Sequence, residues 1–415
     1  MGWRPGAAAL PGLSAHDVFG TANNFGMRPL ADVAHAWACP DVLVLEASRP
    51  SLLMGHIKLH IPGPVEVSAR TFEAFCRPMI GHRGQGFKDL YAEVQPELQS
   101  LLATRQLVYL STSSAWGVME GAIRNLVTRR VLNCMCGAFS DKWLDVSRRC
   151  GKEAEPLQVP WGSPIRPEQV DAALATGRFD ALTLIHNETS CGVMSPLAEI
   201  AALKSKYPDV TFIVDAVSSM TAVPIAFDGL GIDVLLAGTQ KAFALPPGLA
   251  VFVASPAALA KAAKVADRGY YFDFVEFEKN ARENMTPSTP SIAHVYALAS
   301  KLAEFKAEGL AARYARHART NDMLRAWALN HGFTLFPEPG YESRTLVCVN
   351  NGARAGGRTI DVAKFQKVVK EAGVLIDGGY GKLKGLTFRV SNMGDETPET
   401  IGALIGIMDA ALARL

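Results

Sequence analysis

Between residues 107 and 253 short apolar runs alternate with helical patterns, and this alternation limits the possible folds more than any other feature of the chain. Leu107–Leu110, Val131–Met135, Ala181–His186, Thr211–Asp215, Val234–Ala237 and Ala250–Val253 each read as a buried strand. Helical periodicity stands between them at Val118–Leu126, Asp141–Cys150 and Pro196–Lys204. In the first of these, Met119, Ala122, Ile123 and Leu126 share one face. The pattern predicts an α/β fold with a mostly parallel central sheet covered by helices on both faces. Ligands of such sheets bind beyond the carboxyl ends of the strands, so the residues just after each strand carry the functional question.

The flanks read differently. Ahead of the alternation, Thr71–Phe75 and Phe87–Leu102 read as helices, the second interrupted by Pro96. The three glycines of residues 81–86 follow no strand and make a poor dinucleotide fingerprint. After it come two long helices, Ala293–Glu308 and Ala311–Asn330. Strands at Phe333–Phe336, Thr345–Val349 and Leu386–Val390, with helices at Val362–Ala372 and Pro398–Leu415, read as a smaller C-terminal α+β domain. The expected division is an N-terminal extension of unknown role over residues 1–56, a large domain over 57–309 and a small one over 310–415. Within the extension, Ala31–Ala38 could form a short helix and Val42–Leu45 a short strand.

Composition excludes several function classes. The 42 basic and 40 acidic residues give a formal charge of +2, which suits neither nucleic acid nor a membrane surface as the main partner. No apolar run approaches the ~18 residues a spanning helix needs. Met1–Pro11 is rich in Gly, Pro and Ala and lacks the apolar stretch of a secretory signal, and a cytoplasmic location is expected. The seven cysteines are odd in number and form no CxxC pair; reduced thiols and no metal site are expected.

Four strand ends carry polar chemistry. Ser113-Ser114-Ala115-Trp116 lies between a strand and a helix, where backbone N–H groups can approach an anion. His186-Asn187-Glu188-Thr189-Ser190 forms a polar rim, Asp215 ends one apolar run, and Lys241 follows another. Each has an ordinary explanation by itself: a serine cap, a hydrogen-bonded loop, a loop aspartate, a solvated lysine. Together they match the needs of pyridoxal 5'-phosphate, with an anion cup for the phosphate, a carboxylate for the ring nitrogen and a lysine for the aldehyde.

At the level of motifs, Asp215-Ala216-Val217-Ser218-Ser219, Ala237-Gly238-Thr239-Gln240-Lys241-Ala242 and Pro246-Pro247-Gly248 closely resemble the class V pyridoxal-phosphate-dependent aminotransferases, in their alanine–glyoxylate and serine–pyruvate group. His186 to Val193, Pro62-Gly63-Pro64-Val65 and His82-Arg83 resemble further segments of that group, with Cys191 where threonine is common. The resemblance runs from about residue 57 to the C-terminus. It implies the fold-type-I transferase architecture and a homodimer with a shared active site. It implies that Lys241 forms the Schiff base and carries the proton, that Asp215 keeps the ring nitrogen protonated, and that Thr189 bonds the ring oxygen. By the same resemblance Ser114, Ala115, Trp116 and Gln240 hold the phosphate, and Phe139 stacks on the ring where tryptophan is usual. Thr286 and Thr289 would reach the neighbouring subunit's phosphate, and Arg389 would clamp the substrate α-carboxylate. Pro246-Pro247-Gly248 is expected to stiffen the loop after Lys241, and side-chain selection is expected from the loop Gly378–Gly385.

The activity so implied is ping-pong transfer of an amino group from alanine or serine to glyoxylate or pyruvate. Three alternatives stay open at this point. A lyase of the cysteine desulfurase type would need Cys348 or Cys191 as a nucleophile. A phosphoserine aminotransferase would use His82 and Arg83. A non-catalytic dimeric binding protein would keep the fold alone.

Overall fold

The computed structural model describes residues 55–352 and 357–415. The short helix and strand expected before residue 50 lie outside the described residues.

Seven strands form the central sheet: β1 (Val108–Ser111), β2 (Arg130–Met135), β3 (Glu153–Gln158), β4 (Ala181–Ile185), β5 (Thr211–Asp215), β6 (Val234–Gly238) and β7 (Ala250–Ala254). Their order is β1-β7-β6-β5-β4-β2-β3. The pairs from β6 through β5, β4 and β2 to β3 are parallel, and β7 runs against both of its neighbours. The inner strands are buried on both faces, and in β6 Val234, Leu235, Leu236 and Ala237 are all 0% exposed. Burial of this kind stabilises by about 1.5–3 kcal/mol per large side chain, which is why these strands read as unbroken apolar runs. Sequence reading passes over β3. It is an edge strand, Glu-Ala-Glu-Pro-Leu-Gln, half exposed, and edge positions tolerate charge and proline.

Helices α1 (Gln85–Leu102), α2 (Ala115–Leu126) and α3 (Ala138–Arg149) precede or alternate with the strands. Pro96 sits inside α1 without ending it, contrary to the interruption expected. Two long helices follow, α4 (Ile292–Glu308) and α5 (Leu310–Asn330), joined at Gly309, whose φ is +80°. A three-stranded antiparallel sheet then forms from β8 (Thr334–Leu335), β9 (Leu346–Asn350) and β10 (Thr387–Ser391), packed with α6 (Val362–Glu371) and α7 (Pro398–Leu412). One apolar cluster gathers around the central sheet, and a second, including Trp327, Phe365, Phe388 and Met408, gathers around the small sheet. Among the described residues no helix is long and apolar enough to cross a membrane.

Candidate active site

The carboxyl ends of the central strands open into a cavity of ≈ 300 Å³. Lys241 stands in its wall, on the turn that leaves β6. That turn is tied down by Ala244 N–H donating to Lys241 O at 2.9 Å and Leu245 N–H donating to Thr239 O at 3.1 Å. The Lys241 Nζ donates to Thr189 Oγ1 at 3.3 Å and to Ser218 Oγ at 3.2 Å, and lies 5.0 Å from the centre of the Phe139 ring. Burial pulls its pKa down from 10.5 to about 8, against the opposing pull of the Asp215 carboxylate. An amine in this state is partly neutral near physiological pH, as nucleophilic attack on an aldehyde requires.

Asp215 ends β5 and is buried. Its Oδ1 accepts the Val217 N–H at 2.6 Å, and Oδ2 accepts no hydrogen bond from a described residue. Burial pushes its carboxyl up to about 6, although the Val217 N–H and the Lys241 charge both act to lower it. A carboxylate so placed is satisfied by a cationic N–H donor, and a protonated ring nitrogen is one.

Thr189 is held by a short hairpin of Asn187–Glu188 and Val193–Met194. Its neighbour Glu188 is 0% exposed; Oε1 accepts the N–H and hydroxyl of Ser190, and Oε2 accepts those of Ser140. Glu188 thereby clamps the hairpin to the first turn of α3, which carries Phe139 into the cavity. Ser114 caps α2 by backbone position alone; its side chain makes no capping hydrogen bond. The Gly117 N–H donates to Ser114 O at 3.0 Å, while the Ser114 hydroxyl and the Ala115 and Trp116 N–H groups donate to no described residue and stand with Gln240 in the cavity wall. These donors suit a phosphate, Asp215 suits a ring nitrogen and Lys241 suits an aldehyde, so the residues present fit pyridoxal phosphate.

Arg389 reaches the cavity from β10 and is 3% exposed. Its Nε donates to Asp377 Oδ1 at 2.8 Å and its Nη1 to the Thr189 carbonyl at 2.6 Å. Thr286 and Thr289 do not join this cavity; they line a separate small one with Thr112 and Tyr271. Thr286 Oγ1 donates to Ser288 O at 2.7 Å, and Arg83 donates to the carbonyls of Thr286 and Pro287.

Sequence reading assigns no role to Gly63, Ser218 or Asp377 and reaches Tyr380 only as part of the loop Gly378–Gly385, yet all four line the cavity. Gly63 and Ser218 stand inside recognised motifs, where a glycine at φ +97° leaves no trace beyond its identity. Tyr380 stacks on Phe139 with ring centres 5.0 Å apart and planes at 27°. Asp377 and Tyr380 belong to a loop whose position follows from the small sheet, and the only local signal is the Gly378-Gly379 pair between them. A Cβ on Gly63 would lie 2.7 Å from Lys241 Cγ, and its φ is unfavourable to any L side chain. Gly63→Ala is expected to cost about 1–3 kcal/mol of stability and to displace Lys241, weakening cofactor retention about tenfold. Thermal melts and cofactor titration by absorbance check both.

The alternative chemistries find no support here. Cys348 and Cys191 are buried, and burial pushes the Cys348 thiol up to about 12 and the Cys191 thiol higher still, so neither is a ready nucleophile. His82 and Arg83 do not line the cavity, and Arg83 is spent on the two carbonyls named above.

The fold is that of the fold-type-I pyridoxal-phosphate-dependent transferases. An alanine–glyoxylate aminotransferase from Nostoc sp. has a similar structure, with a TM-score of 0.79 and 28% identity, covering 86% of this chain and 95% of that one. The chain belongs to the class V aminotransferases: the family model described as aminotransferase class-V matches residues 78–383. An uncharacterized aminotransferase of Methanocaldococcus jannaschii is 32% identical over 86% of this chain and 93% of its own. A serine–glyoxylate aminotransferase of Methylorubrum extorquens is 29% identical over 85% and 90%. The protein is accordingly a pyridoxal-phosphate-dependent transaminase by family, with amino acids and 2-oxo acids as the implied substrates.

Proposed function

We propose that this chain moves an amino group from alanine or serine to glyoxylate or pyruvate by a ping-pong mechanism, with pyridoxal 5'-phosphate as its cofactor. The observation that carries the reading is the meeting of Lys241, Asp215, Thr189 and Arg389 in one cavity, although they lie on four separate stretches of chain. Names of relatives add to it, since two of the similar proteins above are named for alanine or serine with glyoxylate.

When bound, the cofactor supplies an electron sink for the electron pair left at the substrate α-carbon. Around it the chain's own residues divide the work. Lys241 Nζ would anchor the cofactor and then carry the α-carbon proton, and Thr189 and Ser218 orient that amine. Asp215 would hold the proton on the ring nitrogen, and Thr189 Oγ1 would bond the ring oxygen. Ser114, Ala115, Trp116 and Gln240 would hold the phosphate, and Phe139 would pack against the ring. Arg389 would bind the substrate α-carboxylate through the guanidinium N–H groups not engaged by Asp377 and the Thr189 carbonyl. Thr286 and Thr289 would serve a neighbouring subunit's phosphate, giving a homodimer with a shared site. Their position outside their own subunit's cavity is compatible with that role. The division into residues 57–309 and 310–415 is part of the same proposal; the clusters around the central and the small sheet favour it, and a third cluster, including Val65, Val193, Leu346 and Met393, draws on both sides of the boundary.

An activity matrix of amino donors against 2-oxo acids tests the reading, with alanine or serine and glyoxylate or pyruvate expected as the best pairs. Parallel initial-rate lines in the two substrates are expected from the ping-pong order. A purified protein that neither takes up the cofactor nor transaminates would sink it. Covalent cofactor uptake should also rise with pH through a midpoint near 8, since the neutral amine is required and the Lys241 pKa is about 8 in place of 10.5. Stopped-flow absorbance of the apoprotein checks this; a rate still climbing toward pH 10 contradicts it.

A further inference from the structure

With Lys241 and Asp215 assigned to the cofactor, the charged side chains left in the described cavity wall are Arg389 and Asp377. They form a built pair. The Asp377 N–H donates to Arg389 O at 3.1 Å, and the Arg389 N–H donates back to Asp377 O at 2.8 Å. Their side chains are joined by Arg389 Nε to Asp377 Oδ1 at 2.8 Å. The Gly379 N–H donates to the same oxygen at 2.8 Å. Gly379 has a φ of +93°, and a Cβ there would lie 2.4 Å from Leu383 O; a Cβ on Gly378 would lie 2.2 Å from Gln366 Oε1. The loop therefore holds Asp377 in one place.

Two consequences follow for a substrate. Asp377 takes the Arg389 Nε–H and the Thr189 carbonyl takes one Nη1–H before any substrate arrives, which leaves the Nη2 donors and the second Nη1–H for a single carboxylate. The second oxygen of Asp377, Oδ2, accepts no hydrogen bond from a described residue, while the side chain lines the cavity and is 25% exposed. A substrate hydroxyl or N–H can use that oxygen. A second substrate carboxylate would find no unpaired cation in the described wall and would meet a like charge instead.

We propose that Asp377 sets the amino-donor class: it accepts a hydrogen bond from a donor group on the substrate side chain and repels dicarboxylic amino acids. This rests on the aminotransferase reading; it gives a physical basis for excluding dicarboxylic donors and ranks serine above alanine.

Asp377→Asn tests it, because the amide oxygen can still serve Arg389 Nε and the Gly379 N–H while the charge is gone. The first readout is independent of turnover: calorimetric binding of propionate and of succinate to the cofactor-loaded protein. The succinate-to-propionate affinity ratio is expected to rise about tenfold or more in the variant. In steady-state assays with glyoxylate, the aspartate-to-alanine ratio of kcat/KM should rise by a similar factor, and the serine-to-alanine ratio should fall about threefold or more. An unchanged succinate-to-propionate ratio overturns the proposal. So does an equal loss of both ligands, which would make Asp377 only a support for Arg389. If the wild type transaminates no donor but the ligand ratio still shifts, the aminotransferase reading falls and the role of Asp377 stands.

Discussion

Lys241→Ala protein is expected to lose the absorption band of lysine-bound cofactor and to lose at least ~10⁴-fold in kcat. The reason is local. Among the described residues lining the cavity, Lys241 is the only amine, and the hydroxyls of Thr189 and Ser218 beside it cannot replace it as base at the α-carbon. The fold should survive, because the hydrogen bonds that the side chain contributes are two, both longer than 3.1 Å. The apoprotein should even gain stability at neutral pH. The folded pKa of Lys241, about 8, lies below the usual 10.5, so the buried charge is a cost below pH 8 that fades as pH rises to 10.5. Removing the group removes that cost. Absorbance spectra, single-turnover rates and melts at pH 7 and pH 10 measure all of this together. A variant that keeps the band, or that unfolds, contradicts the assignment of Lys241.

The second large effect concerns Asp215→Asn, which should trade activity for stability. Burial raises this carboxyl from 3.8 to about 6, so its ionised form destabilises the apoprotein. A group whose folded pKa is raised contributes most favourably below the unfolded value, and that contribution is lost as pH climbs through about 6. The shift corresponds to about 3 kcal/mol at neutral pH, an upper figure for the gain on neutralisation. The apo variant is therefore expected to melt several degrees higher than the wild type at pH 7.5, with no gain below about pH 4. Activity should fall by on the order of 10²–10³, the usual cost of losing one preorganised electrostatic group. Loss of the carboxylate also removes the main attraction holding a proton on Lys241, so covalent cofactor uptake should shift to a midpoint below 8. An apo variant less stable than the wild type at pH 7.5 would contradict the account of Asp215 as a strained buried charge.

Much of the architecture was legible because its physics is local. A strand buried on both faces must be apolar along its whole length, so β4 to β7 announce themselves. Only the edge strand β3, where solvent relaxes that demand, leaves no such mark. Helix α1 shows the opposite error: Pro96 removes one hydrogen bond, but Phe87, Leu90, Val94 and Leu98 are buried along the same helix and outweigh that loss.

The chain by itself determined the buried strands of the sheet, the order of the polar strand ends and, through motif resemblance, the class V family. It also placed Lys241, Asp215, Thr189 and the Ser114–Trp116 turn as candidates, because each sits where a buried strand must return to polar surroundings, and Arg389, inside β10, through the motif resemblance alone. Only the tertiary structure decided which of these share a cavity, and it left Thr286 and Thr289 in another. Only the structure supplied the pKa directions of Lys241 and Asp215, since burial of a charge is set by neighbours far away in sequence. The pairing of Asp377 with Arg389 also belongs to the structure, because reciprocal backbone bonds between residues twelve apart depend on how β10 is met by its neighbouring loop.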